Sequence, residues 1–190
     1  MLTELLVASA GGFYDFRRMV VRRRGPAKRL YSLVYSRYLQ KHSSYVGLDT
    51  VFRGRPCFPH GISGVFISGG AVIGKDCVIF PNVVIGSNTA PDSRGFGAPQ
   101  IGDSCLIGAG ATVIGGVKVG DHCRIAANAA VFRDVPPNSV VTSGEATVTP
   151  KEGMDTRFYS RRAGGWHYYE GGAFRPVSDP ETLKRLNGQA

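Results

Sequence analysis

The sequence ISGGAVIGKDCVIFPNVVIGSNTA, at residues 67–90, divides into four units of six residues. After an insertion of ten residues, PDSRGFGAPQ, six more units follow in the same phase at residues 101–136. The first residue of every unit is Ile or Val, and the fifth is Ala, Cys, Val or Thr. A fixed short period is typical of a solenoid, in which each unit buries its apolar side only by stacking on the next. Because Ile and Val favour short strands, the sequence predicts an all-β solenoid.

The cysteines follow from this period. Cys77, Cys105 and Cys123 all occupy the fifth position of a unit, so we expect them to fill the core as small apolar groups. A metal or disulfide role is disfavoured because no pair has the C-x-x-C spacing. This usage fits a reducing compartment. Cys57 lies outside the repeat, and its role stays open.

The repeat divides the chain into three predicted parts. Residues 1–45 form a basic helical arm, in which Leu30, Val34 and Tyr38 have helical spacing and indicate one or two helices folded onto the first coil. Residues 46–142 form the solenoid, with a loop insertion at 91–100. Residues 143–190 form an aromatic and basic extension that ends in a short helix beginning near Asp179. The aromatic tail is either a packing arm or a surface that stacks on sugar rings.

The basic character is concentrated in the arm. The protein carries a net charge of +9, and residues 1–45 hold nine Lys and Arg against two acidic residues. Such a run fits an anionic membrane surface, an acidic polymer, nucleic acid or a solvated helix face. No run approaches the roughly 18 apolar residues that a spanning helix needs. We therefore predict a cytoplasmic protein that contacts an anionic membrane peripherally and binds no nucleic acid.

Two segments carry a resemblance to a known family. HGISGVFISGGAVIGKDCVIFPNVVIGSN (60–88) and GAPQIGDSCLIGAGATVIGGVKVGDHCRIAANAAVFRDVPPNSVV (97–141) resemble the serine acetyltransferases and their relatives that acetylate capsular and lipopolysaccharide sugars. The resemblance spans about half of the chain. It implies a left-handed parallel β-helix, a homotrimer, and O-acetyltransferase activity with acetyl-CoA as co-substrate and no metal. The left hand is implied by the resemblance, since periodicity alone does not give it.

The resemblance also implies a catalytic base. In the family, a histidine just before the first regular coil deprotonates the acceptor hydroxyl, and the matching residue here is His60 in an irregular turn. A hydroxyl is a poor nucleophile, and a histidine that titrates near neutrality can take its proton as it attacks the thioester. A backbone carbonyl, Asp92 or a residue of an adjacent subunit could orient His60. His42 and His122 are interpreted as structural or solvated.

Two departures from the family bear on the acceptor. Pro59 stands where serine acetyltransferases have an Asp, and Ala98 stands where they have a second histidine. Residues that recognise serine are thus missing, so the leading prediction is a sugar hydroxyl of a surface polysaccharide or its precursor. The predicted substrate contacts are Asp92, Arg94, Phe96 and Trp166. The alternatives are serine or another small acceptor, or a catalytically inactive β-helix that serves as a scaffold or glycan-binding module.

The donor site is predicted from stacking. The units at 107–112 and 125–130 lie eighteen residues apart, so they should superpose and leave a groove lined by small side chains and exposed backbone groups. In the family, acetyl-CoA lies along this wall between neighbouring subunits, and the insertion at 91–100 closes the cleft against water. Lys118 and Arg133 are candidates for the CoA phosphates. The predicted contacts are Gly86, Ser87, Ala109, Gly110, Lys118, Ala127, Asn128 and Arg133. Alternatively, the small residues only ease the bending of the coil.

Overall fold

The computed structural model describes residues 2–90, 95–144, 158–170 and 173–187. The chain divides into two units, Met1–Glu145 and Ala146–Ala190. The first unit contains three helices followed by a parallel β-helix, and the second contains a small antiparallel sheet and one helix. Within the described ranges, no helix combines the length and the apolar character needed to cross a bilayer.

Three helices precede the β-helix: α1 (Leu2–Ser9), α2 (Phe13–Arg22) and α3 (Gly25–Lys41). We call these residues, 2–41, the helical cap. The helical prediction is confirmed, and Val34 and Tyr38 of the predicted stripe are partly buried against the core. Leu30 does not join them, because it is 62% exposed. The fully buried residues of α3 are Tyr35 and Leu39. Aromatic packing decides which side of α3 is buried, since the ring of Phe13 stacks on that of Tyr35 with centroids 5.9 Å apart.

Short strands at regular intervals make up the β-helix. They are β1 (Tyr45–Val46), β2 (Val51–Phe52), β3 (Pro59–Ile62), β4 (Phe66–Ile67), β5 (Val72–Ile73), β6 (Val78–Ile79), β7 (Val84–Gly86), β8 (Gln100–Ile101), β9 (Leu106–Ile107), β10 (Thr112–Ile114), β11 (Lys118–Val119), β12 (Arg124–Ile125), β13 (Ala130–Val131) and β14 (Val140–Val141). Three parallel sheets result: sheet A in the order β1-β4-β7-β10-β13, sheet B in the order β2-β5-β8-β11, and sheet C in the order β6-β9-β12-β14. The parallel sheets are consistent with the left-handed β-helix that the resemblance implies.

The core lies inside the triangular prism and matches the predicted positions. Every first-position Ile or Val from Ile67 to Val131 is buried, and so are nine of the ten fifth-position residues. The exception is Thr89, which is exposed. Thr89 lies outside the prism because the chain leaves the coil earlier than the repeat indicated.

The insertion begins after Ser87 and not at Pro91. Asn88 and Gly97 exchange two backbone hydrogen bonds, at 2.8 and 2.9 Å, which form an antiparallel bridge across the base of the insertion. The coil resumes at β8. The amide of Gly116 in the next coil donates to the carbonyl of Gly95 at 3.0 Å, so the returning side of the insertion is fastened to the prism.

The helical cap supplies donors to the first coil. In the second coil, the carbonyl of Ile67 accepts from the amide of Gly47 at 3.0 Å. The equivalent carbonyl of the first coil belongs to Val46, and it accepts from the Tyr35 hydroxyl at 2.7 Å. The buried Arg17 guanidinium donates to three more first-coil carbonyls. They belong to Gly47 (3.1 Å), Leu48 (2.9 Å) and Thr50. Burial lowers the pKa of Arg17 and raises that of Tyr35.

The predicted core cysteines lie in one column at the bend between sheets B and C. Each thiol donates to a carbonyl of the next coil: Cys77 to Gly102 at 3.2 Å, Cys105 to Gly120 at 3.1 Å, and Cys123 to Pro136 at 3.1 Å. All three are buried, whereas Cys57 is exposed. A hydrogen bond with the Cys77 thiol, together with burial, raises the pKa of Cys105. These thiols therefore pack the core, as predicted.

The second unit has its own small fold. Strands β15 (Phe158–Arg162), β16 (Gly165–Glu170) and β17 (Ala173–Pro176) form an antiparallel sheet, followed by α4 (Pro180–Leu186). The predicted final helix is confirmed, and Asp179 caps it by accepting from the amide of Thr182 at 2.7 Å. The indole N–H of Trp166 donates to the side-chain oxygen of Asn187 at 3.0 Å.

Candidate active site

His60 lies on a bulge of three extra residues between the first and second coils. Tyr45 pairs with Phe66, twenty-one residues later, whereas Phe66 pairs with Val84, eighteen residues later. The extra residues fall in the segment of β3, after Cys57 on sheet C and before Phe66 on sheet A. The bulge therefore sits at a corner of the prism, where it leaves the ladders on both sides intact.

Local contacts hold this bulge. Gly61 has a φ of +72°, and its amide donates to the carbonyl of Phe58 at 3.0 Å, which closes a tight turn before the chain enters the second coil. The Phe58 ring lies edge-on against Phe13 of the helical cap, with centroids 5.9 Å apart. The His60 ring lies against Phe80, with centroids 5.8 Å apart. The segment predicted as an irregular turn is thus a short strand combined with a turn.

The His60 imidazole is exposed and makes no hydrogen bond to any residue that the structure describes. The predicted orientation by a backbone carbonyl is therefore not seen, and Asp92 lies outside the described residues. Phe80 is the side chain that supports the ring, and the sequence prediction missed it. A signal was present, because Phe80 occupies the second position of its unit, where five of the ten units have Gly. An exposed imidazole can take a proton from a hydroxyl bound beside it.

The predicted wall of small residues lies at the same corner as His60. We call the His60 corner the set of bends between sheets C and A, at residues 58–65, 80–83, 108–111 and 126–129. The amide of Gly110 donates to the carbonyl of Pro81 at 3.0 Å, and the amide of Asn128 donates to that of Ala109 at 2.9 Å. The coils therefore stack as predicted. These two amides are not available to a ligand, however, because the inter-coil ladder uses them. Ala127 is exposed on the same wall.

The other predicted cofactor contacts lie at a different corner. We call the loop corner the set of bends between sheets A and B, at residues 47–50, 68–71, 87–90, 95–99, 115–117 and 132–134. Ser87 donates its hydroxyl to that of Ser68 at 2.8 Å. Gly86 is buried, and a side chain there would meet Ile114 at 2.7 Å, so Gly86 has no surface for a ligand. Arg133 is exposed at this corner, and Lys118 is exposed beside it.

The two corners are separated by the width of sheet A. At about 3.3 Å per residue, the three residues of β7 place the corners roughly 10 Å apart. Ala109, Gly110, Ala127 and Asn128 lie on one side of the sheet, and Ser87, Lys118 and Arg133 lie on the other. One chain therefore does not bring the predicted cofactor contacts together at a single point.

The four predicted substrate residues are also not gathered. Phe96 is 61% exposed at the loop corner. Asp92 and Arg94 lie outside the described residues. Trp166 belongs to the second unit, where its side chain is half-buried and its N–H is already bonded to Asn187. Among the described residues, no three His, Cys, Asp or Glu side chains cluster closely enough to hold a metal ion.

Comparison with known proteins agrees with this architecture. Residues 98–133 match the profile of the family described as bacterial transferase hexapeptide (six repeats). This part of the chain carries the transferase hexapeptide repeat. The chain is 41% identical over 101 residues to probable serine acetyltransferase 1 of Oryza sativa subsp. japonica, a match that covers 49% of this chain and 33% of the relative. It is 53% identical over 74 residues to serine acetyltransferase 5 of Arabidopsis thaliana, covering 39% of this chain and 23% of the relative.

Solved structures point to the same group. Soybean serine acetyltransferase, known as the apoenzyme and in complex with serine, superposes with a TM-score of 0.59 and 28% identity. That match covers 72% of this chain and 56% of the soybean chain. The chain thus spans a third or less of the curated relatives that it matches. The relatives are serine acetyltransferases, which favours the alternative prediction over the polysaccharide acceptor.

Proposed function

We propose that the protein is an acetyl-CoA-dependent O-acetyltransferase with His60 as its general base. The observation that carries the proposal is the exposed imidazole on a supported bulge, at the corner where the β-helix also presents its small residues. The resemblance matches that histidine to the family's base, and the relatives named above are serine acetyltransferases.

The proposed reaction uses His60 twice. A neutral imidazole nitrogen takes the proton of the acceptor hydroxyl while the oxygen attacks the carbonyl carbon of the thioester. As the tetrahedral intermediate collapses, the carbon–sulfur bond breaks, and the imidazolium returns its proton to the sulfur of CoA. The products are the O-acetyl ester and free CoA.

The donor and the assembly belong to the same proposal. The exposed small residues of the His60 corner can accommodate an extended pantetheine arm, and the cations Lys118 and Arg133 suit the phosphates of CoA. Since sheet A separates these groups within one chain, we propose a homotrimer in which the loop corner of one subunit faces the His60 corner of its neighbour. Sedimentation of the purified protein tests this, and a monomer with full activity would contradict it.

Serine is the first acceptor to test, because the relatives are serine acetyltransferases. A second candidate, a sugar hydroxyl, is favoured by one specific feature. Pro59 and Ala98 offer no side-chain charge or hydrogen bond at two positions where the serine enzymes have polar residues. An amino acid carries a carboxylate and an ammonium group that need such partners, whereas a neutral sugar carries no charged group.

The test is release of free CoA thiol from acetyl-CoA, measured with serine and with a panel of sugars. Replacing a general base is expected to lower kcat by about 100- to 10,000-fold, so His60→Ala should lose activity while acetyl-CoA binding persists. His122→Ala is the matched control, since His122 is exposed at the bend between sheets B and C. Equal activity of wild type and His60→Ala would overturn the assignment of the base. Acetyl-CoA binding without turnover on any acceptor would favour an inactive scaffold.

A further inference from the structure

The helical cap contains more Lys and Arg than make contacts within its fold. Between Asp15 and Asp49 the chain contains nine Lys and Arg and no acidic residue. Arg17 is buried, and its guanidinium donates hydrogen bonds to carbonyls of the first coil. Arg23 stacks on the ring of Tyr31, with its guanidinium carbon 3.9 Å from the ring centroid. Four more cations lie around the junction of α2 and α3, and all are exposed: Arg22, Arg24, Lys28 and Arg29. They make no ion pair, hydrogen bond or ring contact through their side chains with any residue that the structure describes.

Exposed apolar side chains accompany these cations. Val21 is 42% exposed, Leu30 is 62% exposed and Leu33 is 55% exposed. Leu30 and Leu33 are one turn apart on α3 and lie away from Tyr35 and Leu39, which are buried against the rest of the cap. We call the set Val21, Arg22, Arg24, Lys28, Arg29, Leu30 and Leu33 the junction surface. It combines exposed leucines and exposed cations of folded helices.

We propose that the junction surface docks the protein on an anionic phospholipid bilayer. A helix with cations beside exposed leucines lies in the plane of the interface, with its apolar residues among the acyl chains and its cations at the phosphates. Cations next to such a surface each contribute to binding by attraction to the anionic headgroups. The helices are already folded, because Phe16, Val20 and Tyr35 are buried beneath them. Docking therefore requires little ordering of the chain.

The combination of residues favours lipid over other partners. A soluble polyanion or nucleic acid would use the cations but would leave Leu30 and Leu33 in water. A second copy of the same surface, packed about a two-fold axis, would cover the leucines but would place cation against cation. A bilayer with anionic headgroups pairs the cations with phosphates and buries Leu30 and Leu33 among the acyl chains.

The test uses the full-length protein and vesicle flotation. Vesicles of phosphatidylcholine with about a third phosphatidylglycerol are compared with pure phosphatidylcholine, in about 0.1 M and about 0.5 M NaCl, because salt screens surface charge. The protein should bind the anionic vesicles alone, and less at the higher salt. At about fivefold per cation, Arg22→Ser/Arg24→Ser/Arg29→Ser should weaken binding about 100-fold. Arg53→Ser/Lys75→Ser/Arg124→Ser removes the same charge from exposed sites on the β-helix and should retain most of the binding.

A second variant separates lipid from other occupants. Leu30→Ser/Leu33→Ser keeps every charge and should weaken vesicle binding about tenfold, since it removes two inserting side chains. Unchanged vesicle binding by this variant, or equal loss in both charge variants, would overturn the proposal. A smaller assembly in sedimentation for Leu30→Ser/Leu33→Ser would identify the surface as a contact between copies and would also overturn it. The measurement needs no acetyl transfer, so its outcome is independent of the proposed enzyme activity.

Discussion

The first coil of the β-helix and the coils after it satisfy the same backbone groups by different means. In the inner coils, the carbonyls that face the preceding coil accept hydrogen bonds from its backbone amides. The carbonyl of Ile85 accepts from the amide of Ser68 at 2.8 Å, and that of Ala71 accepts from the amide of Val51 at 3.0 Å. The first coil has no predecessor. Its equivalent carbonyls, those of Val46 and Thr50, accept from Tyr35 and Arg17 of the helical cap. Two side chains thus imitate the amides of a missing coil, and they satisfy part of the strand edge at the end of the solenoid.

Among the variants that test this comparison, Arg17→Met is expected to have the largest effect on stability. It leaves the carbonyls of Leu48 and Thr50 short of a donor, whereas the Gly47 carbonyl keeps the amide of Thr50 at 3.2 Å. At about 1–3 kcal/mol for each unsatisfied group we expect a loss of about 4 kcal/mol in the free energy of unfolding. Urea unfolding measures the loss, and hydrogen exchange should show weaker protection at residues 46–51 than in the inner coils. The matched control is Arg18→Met, an exposed neighbour expected to change stability by less than about 0.5 kcal/mol. Equal losses in the two variants would contradict the role of Arg17.

A smaller effect is expected for Tyr35→Phe, which removes only the hydroxyl that serves Val46. One buried neutral hydrogen bond corresponds to about 1 kcal/mol, and the ring still packs on Phe13. The shift of the thermal midpoint measures it. Tyr31→Phe is the matched control, because the Tyr31 hydroxyl makes no hydrogen bond within the described part of the chain. A shift no larger than that of Tyr31→Phe would mean that the ring, and not the hydroxyl, is the important element.

The smallest effect concerns the outer edge of the helical cap. Glu4 accepts from Lys41 at 2.8 Å and lies 3.2 Å from His42, and the Lys41 hydrogen bond lowers the pKa of Glu4 below its ordinary value of 4.5. A carboxyl with a lowered pKa stabilises the fold above its unfolded pKa, and that contribution is lost as pH falls through the folded value. Glu4→Gln should therefore be slightly less stable than wild type at about pH 7 and equal to it at about pH 3.

Urea midpoints at the two pH values give the comparison, with Asp76→Asn as the control. Asp76 is exposed on the β-helix and has a φ of +53°, which Asn tolerates as well as Asp does. A constant difference between Glu4→Gln and wild type at both pH values would show that the charge of Glu4 is not what stabilises the cap.

The inner coils could be predicted from the sequence, and the first coil could not be predicted in detail. The six-residue period marks a buried side chain at each step, so Ile67 to Val131 could be placed before any coordinates. Arg17 and Tyr35 carry no periodic signal, because their role depends on which backbone groups the first coil leaves open. The prediction for Leu30 failed for a related reason. Which side of α3 is buried depends on the aromatic rings that pack against it, and the spacing of apolar residues does not show this.

The candidate site was predicted in part. His60 stays a prediction, made because the resemblance implies a base at its distance from the first regular coil. Its support by Phe80 was missed, since the two rings meet only after the chain has bulged by three residues. The predicted cofactor contacts were placed by their position in the repeat, which does not say which corner of the prism each residue occupies. Corner assignment needs the full count of residues in every coil, including the bulge and the insertion.

The paired backbone bonds between Asn88 and Gly97 have a consequence for engineering. They hold two fixed points of the chain together at a corner where neither neighbouring sheet is interrupted. The bond from Gly116 to Gly95 adds a third fixed point on the returning side. Sequences of other lengths can therefore be grafted between residues 90 and 95 with the prism unchanged, because the described stacking bonds lie outside that stretch.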